Sequence, residues 1–324
     1  MSRAIVIHET GGPEVLRYED VEVGKPGHGE VRLRQSLIGV NFIDIYYRSG
    51  LYQLPLPLIP GFEGIGRIEA MGPGVTDFKL GDRVCYGNGP IGGYAEERLI
   101  PAAKIVKVPP QLKDEQIAGM MLRGLTVWFL LRSLHELKAG ETVLFHAAAG
   151  GVGTIFCQWA RHIGATVIGT VGSEQKAKVA RDCGCAHTIL YKSEDWVAKV
   201  RALTNGKGVS AVYDGVGKDT FMGSLDCLKP RGIMVTFGNA SGPARAIEPS
   251  VLAAKGSLFL TRPRMNDYFE TREEYVQACN ELFDMMLRGI VKADVGQSYG
   301  LTQAAHAHSD LESRSTTGPT TLAV

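Results

Sequence analysis

One stretch of the sequence decides the fold: residues 144–153 read LFHAAAGGVG and lie between a predicted strand and a predicted helix. A glycine-rich loop in this position is typical of dinucleotide binding, although the first glycine of the usual motif is missing here. Gly150 would let the backbone approach a pyrophosphate, and Gly153 would let the helix pack closely on the strand. We expect Gly150, Gly151, Val152 and Gly153 to bind a cofactor through the N–H groups of the helix N-terminus. The alternative is a purely structural turn.

Around this loop, from residue 141 to residue 263, short apolar runs rich in Val, Ile and Phe alternate with amphipathic stretches. The predicted strands are Thr142–Ala147, Thr166–Val171, His187–Tyr191, Val209–Asp214, Gly232–Phe237 and Ser257–Thr261. The predicted helices are Val152–His162, Glu174–Cys183, Asp195–Thr204, Thr220–Leu228 and Pro249–Ala254. Strands that alternate with helices at this spacing are typical of a doubly wound parallel α/β sheet of the Rossmann type.

The first 120 residues show a different pattern. Their apolar runs, such as Glu30–Ile38 and Gly64–Glu69, are short and are separated by Gly and Pro, which favours an all-β barrel or sandwich. The apolar stretch Gln116–Leu137 is predicted to be helical and to join the two parts. The tail has helix, strand, helix and strand patterns, and we expect it to return to the first part. The expected domains are therefore 1–123 with 264–324, and 124–263.

The charge of the chain is almost balanced. Among 324 residues, 35 Lys and Arg against 34 Asp and Glu leave a formal net charge of +1. Without a basic excess, binding to nucleic acid is not expected. The sequence shows no secretory signal and no apolar run long enough to span a membrane, and its six scattered cysteines suggest no disulfide framework. We therefore expect a reduced, cytoplasmic protein that does not associate with membranes.

The end of the second strand of the α/β region distinguishes NAD from NADP. An NAD site needs a carboxylate there to accept a hydrogen bond from the ribose 2′-OH, but Val171–Gly172 occupies this place. Ser173 and Lys176 follow and would meet a 2′-phosphate, with Tyr191 lining the same pocket. The sequence therefore favours NADPH. Two alternatives stay open: Lys176 on a solvated helix face, and Glu174 as the displaced acid of an NAD site.

A series of ordered motifs runs along nearly the whole chain. They are Gly11–Leu16, Asn41–Asp44, Arg48–Tyr52, Gly61–Gly64, Gly81–Val84, Gly124–Thr126, Gly140–Leu144, Ala148–Gly153, Tyr213–Gly217, Phe237–Asn239 and Leu311–Arg314. Together they resemble the quinone oxidoreductase/zeta-crystallin family of medium-chain dehydrogenases/reductases, and within it the bacterial NADPH:quinone reductases.

The resemblance implies a GroES-like β domain that carries the substrate and a Rossmann domain that carries NADPH, with a quinone bound in the cleft between them. It also implies a homodimer in which the last Rossmann strand, Ser257–Thr261, pairs edge to edge with its copy. Beyond the glycine loop, the cofactor-binding residues that it implies are Asn41, Phe129, Ser173, Lys176, Tyr191, Val216, Gly238, Asn239 and Arg314. The family usually has Tyr where this chain has Phe129, so that hydroxyl is missing.

The chain lacks the zinc ligands that zinc-dependent members of this class carry. The three ligand regions read Asn41–Asp44, Gly61–Glu63 and Arg123–Leu125, and none contains Cys or His. Catalytic zinc needs three such ligands and an open position, so we expect a zinc-free enzyme. The pattern C-x-C-x-H at residues 183–187 resembles a ligand cluster, but its place between a helix and a strand favours a structural turn.

The expected reaction is hydride transfer to a quinone, which is already electrophilic and needs no metal to polarise its oxygen. We expect Asn41 to donate a hydrogen bond toward the nicotinamide carboxamide or the quinone oxygen. Tyr46 and Tyr52 would form flat walls whose hydroxyls stabilise the reduced oxygen, with ordinary packing as the alternative. Asp44 and Glu63 are favoured as a structural pair rather than as general bases.

Two other functions stay open. An NADPH-dependent reductase of enone or enal double bonds would use the same scaffold, with a tyrosine or water supplying the proton. A non-catalytic NADPH-binding protein of the crystallin type belongs to a different class, and only turnover separates it from an enzyme.

Overall fold

The computed structural model describes residues 1–292, 296–313, 315–316 and 318–324. They form two compact units. The first unit consists of Met1–Thr126 together with Phe269–Val324, and the second of Val127–Tyr268. Within the described ranges, no helix is long and apolar enough to cross a membrane.

The secondary structure follows in chain order. The strands are β1 (Ser2–Ile7), β2 (Leu16–Val21), β3 (Glu30–Val40), β4 (Gly64–Met71), β5 (Arg83–Tyr86), β6 (Glu97–Pro101), β7 (Val106–Lys107), β8 (Thr142–His146), β9 (Thr166–Val171), β10 (His187–Leu190), β11 (Val209–Asp214), β12 (Leu228–Thr236), β13 (Phe259–Thr261), β14 (Gln297–Gly300) and β15 (Thr320–Ala323). The α-helices are α1 (Phe42–Arg48), α2 (Asp114–Ile117), α3 (Met121–Trp128), α4 (Gly151–Ile163), α5 (Glu174–Asp182), α6 (Trp196–Leu203), α7 (Phe221–Cys227), α8 (Pro249–Ala254), α9 (Arg272–Leu287) and α10 (Ala304–Glu312).

The first unit is built on a seven-stranded sheet in the order β14-β15-β3-β4-β5-β7, with β6 also paired to β3. The C-terminal strand β15 runs antiparallel to β3, with Thr321 opposite Gly39. Alternate residues of β3, such as Val31 and Leu33, are fully buried, as expected for a strand with one face on the core. The long strand β3 therefore holds both the early strands and the C-terminal strand, and it ends next to Asn41.

The second unit contains a six-stranded parallel sheet in the order β10-β9-β8-β11-β12-β13. In chain order these strands stand as 3-2-1-4-5-6, which confirms the predicted doubly wound fold. Strands β9 and β11 have the predicted bounds. The strands remain parallel throughout, but their sequence order changes direction between β8 and β11. Ligands of such sheets bind at this point, outside the carboxyl ends of the strands.

The predicted helical stretch Gln116–Leu137 is wrong as one continuous element. Helix α2 ends at Ile117, and Gly119 then adopts a left-handed backbone with φ of 76°. Helix α3 begins at Met121 and continues after Trp128 into a wider π-helical segment, Phe129–Leu134. The apolar pattern continues across the break because both sides are buried, so it does not reveal the change of direction.

We predict that Gly119→Ala lowers the free energy of unfolding more than Gly81→Ala does. Both glycines have a left-handed backbone, with φ of 76° and 81°, which costs a residue with a side chain roughly 1–2 kcal/mol. At Gly119 the new Cβ would also lie 2.7 Å from the Cβ of Pro319, while at Gly81 no described atom lies within 4 Å. Overpacking should add about 1–3 kcal/mol at Gly119 alone. Urea unfolding measures both variants, and equal losses would contradict this account.

Candidate functional site

The glycine loop of the second unit has the geometry of an anion site. Helix α4 is capped by Gly150, whose backbone is extended, and no described side chain bonds to this helix end. A Cβ at Gly153 would lie 2.6 Å from the carbonyl oxygen of Ala147 and 2.7 Å from the Cα of Ala148. The close approach of α4 to the end of β8 thus requires glycine at position 153. The first N–H groups of α4 are presented at the carboxyl edge of the sheet, where a pyrophosphate fits.

Ala147, the residue after β8, carries a left-handed backbone with φ of 57°. This conformation costs an L-residue roughly 1–2 kcal/mol, and strained residues of this kind are enriched at ligand sites. The strained turn is held by two hydrogen bonds: the N–H of Ala148 donates to the carbonyl of Thr170 (3.1 Å), and the N–H of Gly150 donates to that of Ala147 (2.8 Å).

Three of the residues predicted to bind a 2′-phosphate, Ser173, Lys176 and Tyr191, lie near the ends of β9 and β10. Ser173 caps α5, and its hydroxyl oxygen accepts from the N–H of Lys176 at 3.3 Å. The Tyr191 ring lies over Gly172, since a Cβ there would be 3.1 Å from the tyrosine hydroxyl. Glu174 is the first residue of α5 and is exposed, so the NAD alternative stays open. Arg314 lies outside the described residues.

Two further loops of the second unit carry predicted cofactor residues. The N–H of Val216 donates to Asp214 Oδ1 at 2.8 Å, which fixes the loop after β11. Gly238, next to Asn239 after β12, packs so closely on Gly215 that a Cβ would overlap its carbonyl oxygen. Both loops lie at the carboxyl edge of the sheet.

Phe129, the remaining predicted cofactor residue of this unit, is buried and only 3% exposed. Its ring stacks on that of Tyr268, with 4.9 Å between centroids.

In the first unit, Asn41 is the centre of a buried polar cluster. Its side-chain Nδ2 donates to Glu63 Oε2 at 2.8 Å, and its Oδ1 accepts from Arg123 Nε at 3.2 Å. Arg123 also donates through Nη2 to the carbonyl of Val40 at 2.9 Å. Glu63 is fully buried, and Asn41 and Arg123 are each 6% exposed. The two bonds set the orientation of the amide: Oδ1 faces the guanidinium and Nδ2 faces the carboxylate.

The electrostatics of this cluster are balanced by pairing. Burial raises the pKa of Glu63, while the Arg123 cation and N–H donors from Asn41 and Met121 oppose that rise. Burial likewise lowers the pKa of Arg123, and the charge of Glu63 opposes that change. Two buried charges are tolerated because each compensates the other. Arg123 Nη1 is buried and has no hydrogen-bond partner among the described residues.

Arg123 was missed by the sequence reasoning, which noted only that its region holds no zinc-binding cysteine. A signal was present, because a lone arginine within the apolar stretch 116–128 must either reach solvent or find a buried partner. The sequence does not say which residue that partner is.

Asp44 fixes the start of α1. Its Oδ2 accepts from the N–H of Asn41 at 2.8 Å and from the hydroxyl of Tyr94 at 3.0 Å. Burial raises the pKa of Asp44 to about 7. Asp44 and Glu63 are not bonded to each other; each holds a different part of Asn41, through the backbone and the side chain respectively. Their contacts agree with the structural role that the sequence favours.

A second buried line leads from Asp44 to the C-terminal helix. His308 Nε2 lies 2.9 Å from the Tyr94 hydroxyl, and Arg48 Nη1 lies 3.3 Å from His308 Nδ1. Burial, with the nearby Arg48 cation, lowers the pKa of His308 to about 3. Arg48 also binds Glu312 with both terminal nitrogens, at 3.0 and 2.7 Å. Arg48 therefore serves to join α1 to α10.

The two predicted catalytic tyrosines lie side by side. The rings of Tyr46 and Tyr52 meet edge to face with 5.3 Å between centroids, and Tyr47 extends the cluster to Phe62. Both predicted tyrosines are half-buried. They thus form a partly exposed aromatic surface, which fits both a wall for a flat ring and ordinary packing.

The C-x-C-x-H pattern forms a turn. Gly184 has φ of 102°, and the single S–H of Cys185 has two carbonyl acceptors within reach, those of His187 (3.1 Å) and Val167 (3.5 Å). In the described part of the chain, no group of three or more His, Cys, Asp and Glu residues could hold a metal ion. Zinc independence stays a prediction.

Comparison with known proteins gives the class first. The chain matches a family described as alcohol dehydrogenase GroES-like domain over residues 27–110 and one described as zinc-binding dehydrogenase over residues 151–283. This pair of domains defines a medium-chain dehydrogenase/reductase.

Full-length relatives define the family. A quinone oxidoreductase from Pseudomonas aeruginosa is 49% identical over 323 residues, and a 2-haloacrylate reductase from Burkholderia sp. is 48% identical over 332 residues, each match covering 99% of both chains. The Escherichia coli quinone oxidoreductase complexed with NADPH matches with a TM-score of 0.98 and 46% identity, over 99% of this chain and 100% of that one. The chain belongs to the quinone oxidoreductase family.

We predict that Asp44→Asn flattens the dependence of stability on pH. With a pKa of about 7 when folded and an ordinary value of 3.8 when unfolded, Asp44 binds a proton in the folded state that the unfolded chain has released. Its contribution is present below about pH 4 and is lost as the pH rises through 7, by up to about 4 kcal/mol. Urea unfolding at pH 5 and pH 8 measures the slope. The exposed pair partner Asp20→Asn is the control, and an unchanged slope in Asp44→Asn would refute the assignment.

Proposed function

We propose that this chain is an NADPH-dependent quinone oxidoreductase that transfers a hydride to a quinone without zinc. The observation that carries the proposal is the buried Asn41 amide, oriented by Glu63 and Arg123 in a chain that is similar along its whole length to quinone oxidoreductases. Binding of the quinone between the two domains, and residence in the cytoplasm, stay predictions of the sequence.

NADPH binding rests on the second unit. The start of α4, where the cap residue Gly150 has no side chain to bond the first N–H groups, would offer those groups to the pyrophosphate, and its glycines leave the necessary space. Ser173, Lys176 and Tyr191, together with Arg314, would hold the 2′-phosphate. No acid stands at Val171–Gly172, the place where the ribose of NAD usually finds its carboxylate partner. The structural similarity to the Escherichia coli quinone oxidoreductase that was solved in complex with NADPH supports the same cofactor.

When bound, NADPH supplies the hydride. The chain's own residues would orient the acceptor and stabilise the charge that develops on its oxygen. Asn41 uses one N–H of Nδ2 on Glu63 and keeps the other for an acceptor oxygen. Arg123 donates to Oδ1 of the same amide and so polarises it, which would strengthen Nδ2 as a donor to that oxygen. Tyr46 and Tyr52 would flank the ring with their faces and hydroxyls.

A second candidate is an NADPH-dependent double-bond reductase. It is favoured by the 2-haloacrylate reductase, which is almost as similar to this chain as the quinone oxidoreductases are. Acrylates and enones share a carbon–carbon double bond conjugated to a carbonyl group, and hydride delivery to the β-carbon would need the same electrostatic support at the oxygen. A non-catalytic NADPH-binding protein is the third outcome to be tested.

A homodimer is part of the proposal. Strand β13 is the last strand of the six-stranded sheet. On it Phe259 is 61% exposed and Leu260 is 37% exposed. An exposed apolar edge strand is a template for pairing with another strand, and a second copy of β13 would extend the sheet.

The proposed function is tested by a panel of NADPH oxidation assays on the purified protein. We expect turnover with 1,4-benzoquinone, naphthoquinones and 9,10-phenanthrenequinone, and little with 2-alkenals and alkenones. Consumption of enones alone would favour the double-bond reductase. Binding of NADPH without any turnover would favour the non-catalytic NADPH-binding protein. Dialysis against a strong chelator should leave the rate unchanged; a loss that Zn²⁺ restores would overturn the zinc-free mechanism.

We predict that Lys176→Ala raises the KM for NADPH far more than it lowers kcat. Loss of a cation beside the 2′-phosphate weakens ground-state and transition-state binding alike. Steady-state kinetics with NADPH and NADH measure the effect, with Lys178→Ala, two residues further along α5 and paired to Asp182, as control. Equal affinity of the wild type for NADH and NADPH would contradict the assignment.

A further inference from the structure

A buried polar chain runs beneath the carboxyl edge of the parallel sheet. His146, the last residue of β8, is 1% exposed and has both ring nitrogens bonded. Its Nδ1 lies 2.9 Å from Thr170 Oγ1, and its Nε2 lies 2.9 Å from Ser224 Oγ. Ser224 Oγ in turn lies 3.1 Å from Asp214 Oδ2. Ser224 and Asp214 are fully buried. The chain thus joins the ends of β9, β8 and β11.

The direction of these hydrogen bonds follows from the carboxylate at the end. Asp214 only accepts, so the Ser224 hydroxyl donates to it; the carbonyl of Thr220, 2.9 Å away, is a weaker acceptor for the same proton because it is uncharged. His146 Nε2 then donates to Ser224, and His146 Nδ1 accepts from Thr170. This requires a neutral histidine, in agreement with the lowering of the His146 pKa by burial.

This arrangement is not a hydrolytic triad. In a serine nucleophile site the histidine lies between the serine and the acid, whereas here Ser224 lies between His146 and Asp214. Ser224 is also inaccessible to any substrate. This hydrogen-bonded chain must therefore act through the strand ends and loops that it connects.

Two members of the hydrogen-bonded chain, Asp214 and His146, adjoin loops. Asp214 Oδ1 accepts from the N–H groups of Val216 (2.8 Å) and Gly217 (3.0 Å), and both Asp214 oxygens accept from the Thr220 hydroxyl. His146, which lies between Thr170 and Ser224 in the hydrogen-bonded chain, immediately precedes the strained Ala147 and the glycine loop. Strands β8 and β11 are neighbours at the point where the strand order reverses, the place where such sheets bind their ligand.

We propose that His146, Ser224 and Asp214 form a positioning device that locks the glycine loop and the Val216 loop to each other, so that both face NADPH in one fixed geometry. This rests on the proposed cofactor. None of the three residues touches NADPH; they act through the loops. A site whose donors are fixed before binding loses less entropy when the ligand arrives. Breaking this hydrogen-bonded chain should therefore weaken NADPH binding without removing a ligand contact.

The test uses full-length Ser224→Ala, which removes the linking hydroxyl with little change of volume. Ser210→Ala is the matched control, because Ser210 is also buried, lies at the opposite end of β11 and bonds the carbonyl of Thr142. NADPH binding by fluorescence titration, thermal unfolding of the free protein, and hydrogen exchange at the amides of residues 150–153 and 216–217 are measured for both.

We expect Ser224→Ala to raise the Kd for NADPH roughly tenfold and to speed exchange in both loops. Ser210→Ala should lower the melting temperature yet keep the Kd within about twofold of the wild type. His146→Gln, which keeps a donor near Nε2, should bind NADPH more tightly than His146→Leu. The comparison of His146→Gln with His146→Leu also tests the proposal if Ser224→Ala does not fold.

A wild-type Kd and wild-type loop exchange in Ser224→Ala, or equal Kd values for His146→Gln and His146→Leu, would overturn the positioning role while leaving the proposed function intact. Failure of the wild type to bind NADPH would overturn the proposed cofactor and the inference with it.

Discussion

The buried charge of Arg123 is the constraint on which the first unit depends. A guanidinium at 6% exposure must be compensated, and it finds Asn41, the carbonyl of Val40 and the charge of Glu63 within one cluster. These partners come from the end of β3, the start of α1 and the segment before β4, and Arg123 itself lies on helix α3. Removing any one of them leaves a buried polar group unpaired, so the cluster fixes the orientation of the Asn41 amide as well as the packing of three elements.

The second unit follows the same physical rule at a different place. The loop after β11 is held by buried hydrogen bonds to one carboxylate, Asp214, which a hydrogen-bonded chain through Ser224 and His146 links to the end of β8, next to the left-handed Ala147. A parallel sheet leaves the carboxyl ends of its strands as a shared edge. Polar residues at the ends of these strands, such as His146 and Asp214, can order several loops at once. A long ligand such as a dinucleotide requires several ordered loops.

The sequence predicts the parallel sheet well because each buried strand appears as an apolar run bounded by turn residues, and β9 and β11 begin and end where expected. It fails at Gly119, where burial on both sides of a break keeps the apolar pattern continuous. The polar clusters are also beyond its reach. Arg123 and Asn41 are 82 residues apart, and His146 and Ser224 are 78 apart. No local sequence pattern connects partners at that separation. Only the folded structure shows that the orientation of Asn41 depends on Arg123.

The kcat of NADPH oxidation with 1,4-benzoquinone in Arg123→Met and Arg98→Met tests the role of the Arg123 cluster most directly. Both arginines are 6% exposed, but Arg98 bonds to Tyr86 and to the carbonyl of Pro90 rather than to Asn41. We predict that Arg123→Met lowers kcat about 100-fold and that folded Arg98→Met stays within a few-fold of the wild type. A wild-type kcat in Arg123→Met, or equal losses in both variants, would contradict the central role of the Arg123 cluster.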